Sequence, residues 1–355
     1  VTQKNDSEIT KYLDFAIEKG TSDLHLSVGI PAVVRIDGKL VSIPEAPVLD
    51  GESVKRLVMS FTPSEMMLTL RQKKEIDFSF GYENVRFRVN LYHQKGSLAA
   101  SLRLITKDIR NFQDLGLPPI LEQFTEHSQG FVIIAGPTGS GKSTTLAAII
   151  DKINSEQRKH IITIEDPIEY IFEHKKSIIS QRELGSDTNT YARALRSALR
   201  EDPDVAFVGE MRDLETIEAA LTMAETGHLV FTTLHTISSA ETADRIVGVF
   251  PPHLQQQVRS QLASVLLGVV SQRLIPKIGG GRVLAAEIMI ANSAVKSLIR
   301  EGKNYQIPNI IQTSASEGMI SLDKVLAEYV SRGDITLEDA LTWALDPKGF
   351  KMMVY

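Results

Sequence analysis

The run Gly136-Pro137-Thr138-Gly139-Ser140-Gly141-Lys142-Ser143 has the spacing G-x-x-x-x-G-K-[ST] that cradles phosphate. Glycines let backbone N–H groups approach phosphate oxygens closely, the N-terminus of a following helix favours negative charge, and a lysine reaches the β- and γ-phosphates. Lys142 is therefore the candidate phosphate ligand and Ser143 the candidate Mg²⁺ ligand, with Thr144 opening the helix. The apolar stretch 131–135 reads as the strand that feeds such a loop. Binding a nucleotide is not hydrolysing it, because hydrolysis also needs a group that orients water and charge that stabilises the transition state.

Carboxylates at strand ends are the candidates for that group. Asp204-Val205-Ala206-Phe207-Val208-Gly209-Glu210 is an apolar strand ending in an acid, the general form of a Walker B element, and it makes Glu210 the leading candidate. A second acidic set, Glu165, Asp166 and Glu169, follows an apolar stretch at 160–164, and Pro167 forces the chain out of regular structure there. Three carboxylates at one strand end are costly without a cation or hydrogen-bond donors nearby. His228 and His235 flank a further apolar stretch at 229–233; taken singly, a histidine of this kind is more often a satisfied structural group than a catalytic one.

These residues need elements to hold them. From 131 onward, apolar runs at 131–135, 160–165, 205–209, 229–233 and 282–290 alternate with helical segments, which predicts a parallel sheet covered on both faces. Before it, Ile9, Tyr12, Leu13, Ala16 and Ile17 with a closing Gly20 predict an amphipathic helix. Strands are expected at 23–28 and 32–43, the latter a hairpin turning at Asp37-Gly38, then two short helices at 52–60 and 63–73. Alternation over 85–92 predicts a half-buried strand with Arg86 and Arg88 on one outward face, followed by a strand at 101–105 that carries Arg103. The expected division is an α+β domain with a mostly antiparallel sheet at 1–105, a linker at 106–119, an α/β core at 120–292 and helices at 293–355. Breaks in those helices are expected near 305–308, 313–318 and 333–334, and the terminal run 350–355 carries no interpretable motif.

Composition narrows the classes. The 355 residues are 43% hydrophobic and carry a net charge of −5, without the basic excess that duplex-binding proteins use, so nucleic acid is not an expected partner. With no cysteine there is no disulfide framework, zinc ribbon or thiol nucleophile, and a reducing, cytoplasmic setting is the default expectation. No apolar run is long enough to span a membrane, so any membrane connection is expected through a partner.

Four segments stand in one order: GPTGSGKSTT, ITIEDPIEY, FVGEMRD and GHLVFTTLHT. The set resembles the secretion ATPases of the type II/type IV pilus superfamily, whose Walker A, Asp box, Walker B and His box follow this order. The segment 294–303, with Gln306-Ile307 and Ile311-Gln312-Thr313, is similar to the C-terminal signature A-I-R-N-L-I-R-E of the twitching-motility retraction branch, departing at Val295, Lys296 and Ser297 and keeping Arg300. The assembly branch usually carries a four-cysteine zinc element, which this chain lacks. The resemblance implies a PAS-like N-terminal domain, a RecA-like core with ATP or ADP and Mg²⁺ bound, and a homo-hexamer acting on an inner-membrane platform protein and, through it, on pilin.

Carried over residue by residue, the resemblance implies that Lys142 and Ser143 bind phosphate and Mg²⁺, and that Glu210 activates water and joins the metal site. Glu169 assists it, His235 senses the γ-phosphate, and His228 belongs to the same box. Arginines of the N-terminal domain complete such sites, and Arg86, Arg88 and Arg103 are the candidates. An assembly-type or type II secretion ATPase, an accessory retraction paralogue, a nucleic-acid motor and a nucleotide-gated binding module remain as alternatives.

Overall fold

Ile9, Tyr12, Leu13 and Ala16 bury one face of helix α1 (Glu8–Glu18), as their spacing requires. The structure is a computed structural model that describes residues 8–36, 38–83, 85–105 and 108–354. Two compact units emerge, residues 1–108 with 169–171, and residues 109–168 with 172–355.

In the first unit α1 is followed by β1 (Asp23–Leu26), β2 (Val33–Ile36), β3 (Lys39–Ser42), α2 (Gly51–Met59), α3 (Ser64–Lys73), β4 (Glu75–Tyr82), β5 (Val85–Gln94) and β6 (Ser97–Ile105). The strands form one antiparallel sheet in the order β3-β2-β1-β6-β5-β4. Asp37 of the expected turn lies outside the described residues, but β2 and β3 pair with Ile36 opposite Lys39, and Gly38 has φ 79°. Strand β4 goes beyond the sequence expectation; Ile76, Phe78 and Phe80 alternate along it towards the core of this unit.

The second unit opens with α4 (Ile120–Thr125) and continues through β7 (Gly130–Ala135), α5 (Lys142–Glu156), β8 (His160–Glu165), β9 (Ile178–Glu183), α6 (Tyr191–Ala198), β10 (Val205–Val208), α7 (Leu214–Glu225), β11 (Leu229–Leu234), α8 (Ser239–Gly248) and α9 (Pro252–Val265). It ends with β12 (Leu266–Pro276), β13 (Arg282–Ile290), α10 (Ser293–Glu301), α11 (Ile307–Thr313), α12 (Leu322–Arg332), α13 (Leu337–Trp343) and α14 (Pro347–Val354). Seven strands run in the order β13-β12-β7-β11-β10-β8-β9, and β7, β10 and β11 are buried at every position. Separate apolar clusters pack the two faces, as continuous Val/Ile/Phe runs demand.

Three expectations need correction. The stretch 282–290 is not one of the parallel strands: β13 pairs antiparallel with β12 as an edge hairpin. Strand β12 itself was not expected, because the apolar run at the end of α9 continues into it and the nearest glycine, Gly268, lies inside the strand, while the backbone turns extended at Leu266 (ψ 126°). The first break in the C-terminal helices comes earlier than 305–308. Gly302, at φ 70°, ends α10, a 3₁₀ turn spans Asn304–Gln306, and Pro308 sits in the first turn of α11, where its missing N–H has no helical partner to lose.

The expected linker also has structure. Thr106 and Lys107 lie outside the described residues, whereas Phe112 and Leu117 are buried in the second unit's core and the Lys152 ammonium lies 5.8 Å from the Phe112 ring centroid. At the far end of the chain, Phe350 is fully buried against Ile275, Leu326 and Ile335, so the terminal run is an anchor for α12–α14. Among the described residues no helix is long and apolar enough to cross a membrane.

Candidate functional site

The parallel strands bring four chain segments to one edge of the sheet. Val208 lies opposite Ile164 on one side and Thr232 on the other, and Ala135 opposite Leu234. The residues that follow β7, β8, β10 and β11 therefore emerge together, at the carboxyl end where open α/β sheets bind ligands.

After β7 the phosphate loop takes conformations that side chains resist. Gly136 has φ 146°, Gly139 φ 79° and Gly141 φ 87°, and Gly141 caps α5 without a side-chain hydrogen bond. The first N–H groups of α5 thus keep no side-chain acceptor at the cap, the arrangement that receives an anion. A Cβ on Gly136 would stand 2.5 Å from the Gln272 carbonyl oxygen and 2.6 Å from Ser140 Oγ, so the cradle closes only around glycine. The Lys142 side chain, with the residue 8% exposed, folds back so that Nζ donates to the carbonyls of Gly136 (2.9 Å) and Pro137 (3.1 Å). Ser140 Oγ is buried with no hydrogen-bond partner among the described residues. Ser143 and Thr144 remain half-buried on the first turn of α5. An ammonium held at carbonyls and an unpaired buried hydroxyl fit the acidic oxygens of a nucleotide phosphate.

Glu210 follows β10. Met211 is buried in the core, so Glu210 and Arg212 flank it, and Asp213 caps α7 by accepting from Thr216 N at 2.8 Å. Arg212 Nη2 stands 2.7 Å from Glu210 Oε2, and His235 Nε2 stands 3.5 Å from Glu210 Oε1. Burial works to raise the Glu210 carboxyl, but the Arg212 hydrogen bond and the charges of His235, Arg212 and Lys142 outweigh it and hold it below the usual carboxylate range. The segment that carries His235 is itself pinned: Thr236 and Thr242 share a hydroxyl–hydroxyl bond of 2.6 Å, and Ser238 caps α8. Thr233 donates its hydroxyl to the Gly209 carbonyl, tying β11 to the residue before Glu210.

Around the ends of β8 and β9 two buried acids find hydrogen-bond donors. Glu165 is buried and accepts from Thr163 Oγ1 (2.6 Å) and Gln181 Nε2 (3.3 Å), while Glu183 accepts from Ile168 N (3.2 Å) past the cis Asp166–Pro167 bond. Tyr191 joins this group unannounced by any motif. Burial first, and then the charges of Asp166, Glu210 and Glu165, push its phenol up. Such a group stays protonated at neutral pH, and its hydroxyl lies beside Gly209, 3.2 Å from where a Cβ there would stand.

Family membership follows from the whole chain. The sequence matches the type II/IV secretion system protein family over residues 5–341. The chain belongs to that family. Within the type II/IV secretion family, it is 47% identical over 344 residues to the type IV pilus retraction ATPase PilT of Pseudomonas aeruginosa, covering 97% of this chain and all of that one. It is 48% identical over 312 residues to the twitching motility protein of Neisseria gonorrhoeae, covering 87% and 83%. Its fold superposes on the crystal structure of the pilus retraction motor PilT with bound ADP at a TM-score of 0.91 and 48% identity, covering 98% and 100%.

Lys142, Glu210 and His235 come together in this secretion ATPase fold. His228 does not join them. It stands before β11 and His235 after it, about 23 Å apart at a strand's rise per residue. Its Nδ1 lies 2.9 Å from Met223 O and 3.2 Å from Thr226 Oγ1, closing the end of α7, so the expectation that places it at the catalytic end is corrected. Glu169 is exposed and groups with the first unit. In that unit Arg88 is exposed and directly opposite Arg103, while Arg86 is half-buried opposite Ile105. Arg103 Nε is committed to Asp23 Oδ1 at 2.9 Å.

Proposed function

We propose that this secretion-family chain is a hexameric motor that hydrolyses ATP to power type IV pilus retraction. The observation that carries the catalytic part is the convergence of Lys142, Glu210 and His235 at the carboxyl ends of three adjacent parallel strands. The retraction part rests on 47–48% identity over most of the chain to a pilus retraction ATPase and a twitching motility protein. Residues 136–144 receive the nucleotide phosphates, and Lys142 exchanges the Gly136 and Pro137 carbonyls for phosphate oxygens. Ser143 and, once one of its present partners has left, Glu210 would hold Mg²⁺, which supplies charge neutralisation between phosphates.

Glu210, ionised at neutral pH, accepts a proton from the attacking water while His235 holds its other oxygen. Glu169 assists from the Asp box, and Arg86, Arg88 and Arg103 are the arginines available to complete a neighbouring site; Arg103 must first leave Asp23. In this reading the domains are 1–105, 120–292 and 293–355, with 106–119 as the linker and hinge, of which Phe112 and Leu117 pack in the second unit's core. The ring works at the cytoplasmic face of the inner membrane and passes force through a platform protein to pilin.

The test is Glu210→Gln. It retains ATP binding while turnover falls by about 10²–10⁴-fold, the range for removing a general base; near-normal turnover would sink the assignment. Deleting the gene leaves cells with excess, non-retracting pili. Loss of pili instead would make the chain an assembly ATPase, and retention of normal retraction an accessory paralogue.

A further inference from the structure

Strand β12 lies beside β7 with Ser271 opposite Ala135, so its next residue, Gln272, comes level with Gly136 where the phosphate loop begins. Gln272 is fully buried, and both ends of its amide are used. Nε2 donates to the Ser140 carbonyl at 2.8 Å, and Oε1 accepts from Thr145 Oγ1 at 3.1 Å on the first turn of α5. The amide thus clamps the loop and the helix whose N-terminus faces the phosphates.

The adjacent residue points the other way, as strand pleating requires. Arg273 is 3% exposed; its Nη2 donates to the Ile237 carbonyl at 2.7 Å, in the segment that carries His235, and its Nη1 donates to the Gln272 carbonyl at 2.9 Å. That carbonyl is the one against which Gly136 packs. Glu287, from the neighbouring β13, is 4% exposed and accepts from Ser239 N at 2.7 Å, holding the start of α8. A buried guanidinium is costly unless its donors find acceptors, and here the Gln272 and Ile237 carbonyls take its two Nη groups while the Glu287 carboxyl on the adjacent strand works against the burial cost.

We propose that Gln272 and Arg273 are positioning residues for the nucleotide reaction: Gln272 sets the phosphate loop, Arg273 sets the loop that presents His235, and their shared strand links the two. The proposal rests on the ATPase reading above and deepens it. Neither side chain touches the reacting atoms. Gln272 acts through Ser140 and Thr145, and Arg273 acts through Ile237.

The experiment titrates the full chain with a fluorescent ADP analogue and measures steady-state ATPase kinetics for wild type, Gln272→Met and Arg273→Lys. Gln272→Met keeps the volume but leaves the Ser140 carbonyl and Thr145 hydroxyl unpaired. An unsatisfied buried pair of this kind weakens ADP binding by about five- to a hundredfold and raises KM in step, with kcat at saturation within about threefold. Arg273→Lys keeps the charge but not the two-pronged hold; kcat falls about tenfold while ADP affinity stays within about threefold. The double variant Arg273→Met with Glu287→Gln removes the guanidinium's bonds to the Gln272 and Ile237 carbonyls without stranding a buried carboxylate, and gives the same kcat-directed loss.

A crossed pattern, with affinity lost in one variant and turnover in the other, supports the assignment. Parallel losses of both parameters in both variants, as general destabilisation would produce, overturn it, and so does wild-type behaviour in all three. If the wild type itself fails to bind the ADP analogue, the ATPase reading falls first and takes this inference with it.

Discussion

Replacing Gly136 by alanine adds lack of space to backbone strain, and Gly139, which also holds a positive φ but has open space around it, is the comparison. Both glycines hold a positive φ, 146° and 79°, and forcing a side chain into such a region costs about 1–3 kcal/mol. They differ in their surroundings. At Gly139 an added Cβ meets nothing within 4 Å, whereas at Gly136 it meets the Gln272 carbonyl oxygen at 2.5 Å and Ser140 Oγ at 2.6 Å. The first of these is backbone of a central strand and cannot swing aside, so overpacking adds about 1–3 kcal/mol in Gly136→Ala alone.

For a unit of this size, 1 kcal/mol shifts Tm by about 2–4 °C, so Gly136→Ala melts about 2–12 °C below Gly139→Ala. Scanning calorimetry without nucleotide measures that difference. With ADP at a hundred times the wild-type Kd, linkage stabilises the wild type by about 2.7 kcal/mol, and Gly136→Ala loses most of this increment because relieving the clash moves the cradle. Equal melting of the two variants would refute the close-approach argument and leave only the φ constraint.

Three further outcomes follow from the same geometry. Arg212→Ala removes the hydrogen bond and charge that hold Glu210 low, so the carboxyl rises and the acid limb of the pH–rate profile moves to higher pH; a limb that stays or moves down contradicts the pairing. In stability terms the lowered Glu210 contributes above its unfolded carboxylate value, and the contribution is lost as pH falls through the folded value, a loss that Arg212→Ala diminishes in urea titrations. His228→Ala costs about 1 kcal/mol through lost closure of α7 and leaves turnover within about twofold, while His235→Ala lowers turnover at least about tenfold; comparable turnover losses would return His228 to the site. Phe350→Ala empties a fully buried site and destabilises the second unit by about 3–5 kcal/mol by denaturant unfolding, and an effect under about 1 kcal/mol would mean that the terminal helix does not hold the core.

What could be read from the chain itself was local. The phosphate loop needs glycines, a lysine and a helix start that are consecutive in sequence, so the cradle is written in eight adjacent residues and its ligand chemistry follows. Glu210 and His235 were legible for a related reason: each ends a buried run, and a parallel sheet must bring such ends to one edge. Alternation in β5 likewise put Arg86 and Arg88 on one face.

Tertiary structure decided what depends on strand order. Gln272 meets Thr145 across 127 residues only because β12 inserts beside β7, and nothing in Leu266–Pro276 marks a strand start where α9 hands over to it. Tyr191 reaches the carboxylates, and Arg273 reaches Ile237, through the same kind of long-range neighbourhood. His228 and His235 flank one apolar run, yet a strand has two ends, and the parallel pairing of β11 with β10 and β7 puts His235, not His228, at the end that carries Glu210. The sequence determines which groups are available and their local geometry; the order of strands, set by burying both faces of one sheet, determines which of them meet.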